Sequence, residues 1–408
     1  MTCPVLQSGR HSTLNPDHTQ GPSCAAILLV HLEEQCDAVP MQENNNDAHG
    51  VPHKHADTDV PAILGLGTAL PPLYVEQRDA HRFYDTQGCL PAGQRALYAR
   101  LLLDGPIQGR YFGMHEPRDV LNTDPDAAVA RFTEFGRRLA SDASRAALRD
   151  AGVVAREIGG VVVNTCTGYL CPGLTSYLAE DLGLGDDVKP ADLMGMGCGG
   201  AVPGLECGCG LLDRARGRPV LCVSVEVCSA THFMDDEPGL TVSNCIFGDG
   251  AAAVVLGHAK ERGIALIDFE SGLFPEHRNA LRYDYDGGRL RNRLTRRVPV
   301  IGASCIERVA LRLLKRHGLS PPDISWWAVH AGGTAVLDEV GKRFGLNGTA
   351  LSASRQVFHE CGNMSSPTVL FALRRVMDLG GTRGRGLILA FGAGFSAFAA
   401  LAAGPDGP

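Results

Sequence analysis

Short apolar runs bounded by glycine and turn residues alternate with helical periodicities along this chain, and the alternation starts twice. That texture constrains the fold most. A strand that is apolar on both faces needs helices above and below it. In the first set, 61–66, 159–164, 220–227 and 251–256 read as strands. A helix is predicted over 126–150, where Val129, Phe132, Phe135, Leu139, Ala143 and Leu148 recur near helical spacing. In the second set, 264–269, 326–330 and 386–391 read as strands, and 302–317, 334–344 and 368–379 as helices. The expected class is α/β: duplicated halves, 58–257 and 258–408, with mixed sheets covered by helices. No repeat is visible in the letters themselves. Residues 1–57 differ, being rich in Asn, Gln, Asp, His and Pro, with a polar low-complexity stretch at 42–47. They read as a disordered extension, and His49, His53 and His55 as part of a solvated tail without a ligand scaffold.

Composition removes several functions. The formal net charge of -7, with no basic domain, argues against a nucleic-acid partner. No apolar run approaches the roughly 18 residues of a membrane span. The run at 25–30 is too short for a secretory core and is followed by His31, Glu33 and Glu34, so a cytoplasmic location is expected. The 14 cysteines form no CxxC pair, which argues against a zinc site or a disulfide framework. Most read as small core residues, with one or a few reactive.

Three segments carry candidate chemistry. In Asp192-Leu-Met-Gly-Met-Gly-Cys-Gly-Gly-Ala201 a strand-like stretch runs into a glycine-flanked cysteine before a predicted helix. Glycines there let a substrate approach closely, and unpaired N–H groups at a helix N-terminus favour thiolate. In Trp326-Trp-Ala-Val-His-Ala-Gly-Gly-Thr334 a histidine ends an apolar strand, where an imidazole can take a proton or donate to an oxyanion. In Glu360-Cys-Gly-Asn-Met-Ser-Ser-Pro-Thr368, Asn363 sits in a turn before a helix, placed either to donate to a developing carbonyl anion or to cap the helix, as Ser365 or Ser366 would do equally well. Each residue alone also reads as structural. Papain-like proteases share the three residue types but lack this α/β texture and carry a different cysteine signature.

With these segments in place, the sequence resembles the chalcone synthase-like type III polyketide synthases over about residues 60–403. The resemblance rests on Met196-Gly-Cys-Gly-Gly, Ile246-Phe-Gly-Asp-Gly-Ala-Ala-Ala253, His330-Ala-Gly-Gly, Gly362-Asn-Met-Ser-Ser366 and Phe391-Gly-Ala-Gly394. It implies a thiolase-like fold, a homodimer and a Cys198–His330–Asn363 centre at the end of a CoA tunnel. Cys198 thiolate, kept ionised by His330, would hold the starter acyl chain as a thioester. His330 and Asn363 would hold the malonyl thioester oxygen while CO2 leaves. The implied substrates are malonyl-CoA and an acyl-CoA starter, with no cofactor and no metal. Phe247 matches a gatekeeper aromatic; Ser365, Cys166 and Thr167 match cavity residues; Cys171 matches a position inserted into the partner subunit's cavity.

The departures bear on product. Asn292 stands where the family has a second gatekeeper Phe, Tyr283 replaces a cavity-wall glycine, and His232 occupies the place of a cavity Thr in plant enzymes. Phe391-Gly-Ala-Gly lacks the usual proline. A smaller cavity with a more polar mouth, and so a short product, is expected. Within bacterial members the 166–173 and 275–295 segments look like the 3,5-dihydroxyphenylacetyl-CoA synthase side of the family, which primes with malonyl-CoA. Alkylresorcinol or alkylpyrone formation stays open, as does a ketoacyl-acyl carrier protein synthase III-like enzyme. For the CoA phosphates Arg110, Arg289, Arg291 and Arg293 are candidates, and the sequence does not choose among them.

Overall fold

The computed structural model describes residues 60–258 and 263–404. The expected N-terminal extension, with His49, His53 and His55, lies outside the described residues. In chain order the strands are β1 (Pro61–Ala69), β2 (Leu73–Glu76), β3 (Gly109–Phe112), β4 (Gly160–Thr165), β5 (Lys189–Met194), β6 (Val220–Glu226) and β7 (Gly250–His258). They continue with β8 (Ile264–Leu273), β9 (Leu281–Asp286), β10 (Arg289–Leu294), β11 (Trp326–Val329), β12 (Arg385–Gly392) and β13 (Ser396–Ala403). The helices are α1 (Gln77–Thr86), α2 (Arg95–Leu103), α3 (Pro125–Ala151), α4 (Leu174–Leu182), α5 (Ala201–Arg214), α6 (Pro238–Ile246), α7 (Val298–Arg316), α8 (Thr334–Phe344), α9 (Ser352–Cys361) and α10 (Thr368–Asp378).

Nine strands form one sheet in the order β11-β12-β13-β8-β1-β7-β6-β4-β5. The order repeats. β4 runs parallel to β6, β6 antiparallel to β7, and β7 antiparallel to β1. In the second set β11 runs parallel to β12, β12 antiparallel to β13, and β13 antiparallel to β8. The two expected halves are joined where β1 meets β8, at Ala62–Ala265 and Ile63–Ile264. Pairing there leaves neither edge open along the joint.

The apolar runs are explained by burial on both faces. Val161, Val163, Leu221 and Val223 pack with Phe135 and Leu139 of α3, while the alternate residues Val162 and Cys222 pack with Leu205 and Leu212 of α5. In the second set Leu387 and Leu389 face Val309 and Leu313 of α7, while Ile388 and Ala390 face Leu370 and Leu373 of α10. Helices α5 and α10 therefore share one apolar layer between the halves, with α3 and α7 outside. The long α3 begins at an Asp124 cap, whose Oδ1 accepts from Asp126 N at 3.1 Å, and stops at Gly152 in the left-handed region. No described helix is long and apolar enough to cross a membrane.

Candidate active site

The cysteine, histidine and asparagine each stand at the end of an element that meets the central layer. After β5, a single 3-10 turn over Gly197–Gly199 leads directly into α5, so Cys198 lies at the helix entry, 7% exposed. The turn is held against the end of β12. A Cβ on Gly392 would fall 2.2 Å from Met196 O and 3.2 Å from Cys198 N, so only glycine allows this approach. His330 follows β11; its backbone N–H donates to Leu389 O at 2.8 Å and its ring meets Phe391 edge-on at 5.5 Å.

Asn363 lies in the turn between α9 and α10 rather than at a helix start. Pro367 occupies the N-cap position of α10, so neither Asn363 nor the two serines cap it. The backbone of Asn363 pairs with the Phe247 segment: Asn363 N donates to Ile246 O at 2.8 Å, and Gly248 N donates to Asn363 O at 3.0 Å. Its side-chain oxygen accepts from Ser365 N at 2.8 Å, which fixes the amide flip and turns the NH2 toward Gly332 O, 3.5 Å away. A Cβ on Gly332 would lie 3.3 Å from His330 Nε2. The imidazole and the amide thus converge on one glycine, and that glycine lines a cleft of about 840 Å³ open to the surface.

Cys198 connects to a second polar group that the sequence reading missed. Ser365 Oγ donates to Cys198 Sγ at 3.3 Å and also lies 3.3 Å from Cys166 Sγ. Behind them Glu226, fully buried at the end of β6, accepts from Ser366 Oγ (2.6 Å), Thr167 Oγ1 (2.8 Å), Cys166 N (2.9 Å) and Thr165 Oγ1 (3.1 Å). Burial raises the Glu226 carboxyl, and these hydrogen bonds oppose the shift. Ser365 itself is held at φ 60, in the left-handed region that costs a non-glycine residue about 1–3 kcal/mol. Thr167 is committed to Glu226 and accepts from Val227 N at 2.9 Å, and it also lines a pocket with Phe132, Tyr169 and Ala230.

Burial dominates the electrostatics. It pushes the Cys198 thiol up to about 12 and the His330 imidazole down to about 3. Taken one group at a time, burial favours neutral thiol and neutral imidazole and so opposes the thiolate that His330 is expected to keep ionised. His330 Nδ1 is buried without a hydrogen-bond partner, so no protein group fixes the ring tautomer.

The remaining predicted residues divide. Phe247, Asn292 and His232 line a neighbouring chamber of about 130 Å³, together with Thr231 and Cys228. The catalytic candidates do not line it. Asn292 is buried, and its Oδ1 accepts from Ser243 Oγ at 2.9 Å. Tyr283 pairs with Asn292 across the β9–β10 hairpin, and burial pushes its phenol well up, with Cys166, Cys228 and Cys198 adding to the shift. His232 stacks on Tyr84 with ring centroids 6.0 Å apart; burial, then Arg110, pushes it down to about 3, so it is neutral at physiological pH. Cys171 is exposed.

Three of the four arginines considered for phosphate binding are otherwise engaged. Arg110 is buried at 1% exposure. Arg291 pairs with Asp235, Glu237 and Asp286, and Arg293 with Glu237 and Asp284. Arg289 lies over the Phe233 ring at 4.1 Å. The cleft is instead lined by Arg100 and Arg296, whose side chains make no ion pair or hydrogen bond among the described residues. No described cluster of His, Cys, Asp or Glu has the grouping of a metal site.

Comparison with known proteins agrees with this arrangement. The family described as chalcone and stilbene synthases, C-terminal domain, matches residues 270–402, and the FAE1/type III polyketide synthase-like family matches residues 113–267. The chain is 30% identical over 336 residues to a 3,5-dihydroxyphenylacetyl-CoA synthase of Streptomyces toyocaensis, covering 79% of this chain and 84% of that protein. It is 32% identical over 350 residues to a 1,3,6,8-tetrahydroxynaphthalene synthase of Streptomyces peucetius subsp. caesius, covering 82% of this chain and 91% of that one. The crystal structure of PKS-I from the brown alga Ectocarpus siliculosus superposes with a TM-score of 0.79 at 26% identity, covering 86% of this chain and 100% of that one. The shared architecture is the thiolase-like fold.

Proposed function

This chain belongs to the chalcone synthase-like type III polyketide synthases, and we propose that it loads malonyl-CoA on Cys198, extends it by decarboxylative condensation and cyclises the chain to a small aromatic or pyrone. The observation that carries the site assignment is the convergence of His330 Nε2 and Asn363 Nδ2 on Gly332 at the wall of the open cleft, with Cys198 in the adjoining glycine-rich turn.

In the loading step an acyl-CoA enters the cleft with its phosphates toward Arg100 and Arg296. His330 takes the Cys198 proton as sulfur attacks the thioester carbonyl, and the proton leaves with the CoA thiol. One proton transfer converts two desolvated neutral groups into an ion pair, each charge supplying the partner the other lacks. A second malonyl-CoA then places its thioester oxygen between His330 and Asn363. Loss of CO2 leaves an enolate whose negative oxygen these two donors hold. The enolate carbon attacks the Cys198 thioester, the thiolate leaves, and the lengthened chain is reloaded. No step calls on a cofactor or metal.

The narrower choice of malonyl primer and short product rests on three supports. The relatives include 3,5-dihydroxyphenylacetyl-CoA synthases. The side chamber is only about 130 Å³, a size that holds about one benzene ring. Tyr283 stands across the hairpin from Asn292, a lining residue of that chamber. A homodimer, with Cys171 placed at the partner, is part of the same reading. Product mass spectrometry tests it. Malonyl-CoA alone is expected to give a short aromatic or pyrone. A product seen only with an added acyl-CoA starter overturns the malonyl-primed choice, and turnover only with malonyl-acyl carrier protein overturns the CoA-dependent reaction.

A further inference from the structure

Among the described residues Arg110 is the largest fully buried side chain, and its guanidinium makes no salt bridge, Asp249 acting on it only from a distance. A buried charge persists only where hydrogen bonds and local dipoles replace its water. Here the replacement is the C-terminal end of α6. Arg110 Nη1 donates to Asn244 O at 2.8 Å and to Phe247 O at 2.7 Å, carbonyls that carry the negative end of the helix dipole. Arg110 Nε donates to Gln77 Oε1 at 2.9 Å, and Gln77 Nε2 donates to Cys245 O at 2.8 Å. The side chain therefore locks the first residue of α1 to the last turn of α6, with its charge 5.0 Å above the Phe112 ring.

The lock reaches the reaction centre through one short bridge. Phe247 follows α6 directly and pairs with Asn363. On the other side of that pair, Gly362 adopts φ 71, and a Cβ there would fall 2.5 Å from Ile246 O and 3.0 Å from the Arg110 stem. The stem packs against one strand of the bridge while the guanidinium holds a carbonyl of the other.

We propose that Arg110 is a positioning residue for condensation: by tying α1, the end of α6 and the Phe247–Asn363 bridge into one unit, it sets where the Phe247 ring and the Asn363 amide stand when the enolate forms. The proposal rests on the roles given above to Asn363 and Phe247. Cys198 lies on a different element, so Arg110 acts on chain extension and product length and leaves loading alone.

The test separates those two steps. In Arg110→Met, which keeps most of the stem and removes the charge, acylation of Cys198 is followed by rapid quench and intact-protein mass spectrometry, and product formation by chromatography. The expected result is acylation within about threefold of the wild type, kcat for product at least 30-fold lower, KM for malonyl-CoA within about threefold, and a larger share of chains released early. Added guanidinium ion restores product at least tenfold in Arg110→Ala, whereas ammonium does not. Equal losses in acylation and condensation, a salt-dependent rise in KM alone, unchanged kcat, or no rescue overturns the proposal. Should the Arg110 variants fail to fold, Gln77→Leu removes one clamp and keeps the arginine; it must show the same split at smaller size, and parallel losses there overturn the proposal. A Cys198→Ala control is run alongside: product surviving in it sinks the catalytic reading itself, whatever Arg110 does.

Discussion

At the scale of single residues, the chemistry turns on burial. With its thiol pushed up by burial, Cys198 alone presents little thiolate at neutral pH. Removal of His330 is expected to leave that situation bare. Alkylation of Cys198 by iodoacetamide, mapped by peptide mass spectrometry, is expected to be at least 100-fold slower in His330→Ala than in the wild type at pH 7. The gap closes as pH rises, because the thiolate fraction then grows without a base. Parallel pH profiles contradict the role of His330. Ser365 gives a second test. Glycine takes φ 60 freely, so Ser365→Gly keeps the turn and removes the hydroxyl 3.3 Å from Cys198 Sγ. A hydrogen bond to a charged group contributes about 1.5–3 kcal/mol, and extension is expected to slow about 10- to 100-fold with the melting temperature maintained. An unchanged rate removes Ser365 from the site. Cys198, His330 and Asn363 were legible because glycine-bearing turns mark them one segment at a time. Glu226 was not. Its partners come from the end of β4, the two residues after it and the 365–366 turn, and a glutamate closing an apolar strand looks in one dimension like the start of a loop.

At the scale of elements, the β9–β10 hairpin shapes the pocket. The sequence hid it because 281–294 is dense in Arg and Asp, which reads as solvated surface; the structure spends those charges in pairs. Arg291 and Arg293 drop out as CoA candidates for the same reason, since a sequence does not show which cations are already neutralised. Arg291→Met is expected to cost about 1–2 kcal/mol of stability, discounted because its carboxylate partners are 33% to 46% exposed. It leaves the salt dependence of KM unchanged. Arg100→Ala is expected to do the reverse: KM for malonyl-CoA rises several-fold and its salt dependence weakens, with stability unaltered. Steady-state kinetics at two ionic strengths, beside denaturant melts, checks both. Tyr283→Gly on the same hairpin removes the ring across from the chamber residue Asn292. Use of a hexanoyl-CoA starter relative to malonyl-CoA is expected to rise at least tenfold, for a stability loss of about 2–4 kcal/mol. An unchanged starter ratio means that Tyr283 does not set the cavity.

At the scale of the whole molecule, the repeated strand order explains why the alternation of apolar runs was so legible. Strands such as β4 and β6 are buried on both faces and leave little room for polar letters. What stayed hidden was the joint: a two-residue pairing between β1 and β8 carries no periodicity, and the Ala-rich β13 has no alternation to betray it. The same construction sets the three candidate catalytic residues at element ends around one shared layer, which is why their order in the chain says little about their nearness. The central claim is that Cys198 carries the growing chain. The most direct measurement is to mix the protein with malonyl-CoA, quench during turnover, digest, and locate acyl adducts by mass spectrometry, with Cys198→Ala treated in parallel. The account expects thioester mass on the Cys198 peptide during turnover, and neither adduct nor product in the variant. Product formed at the wild-type rate by Cys198→Ala, or an adduct confined to another cysteine such as Cys166, contradicts it.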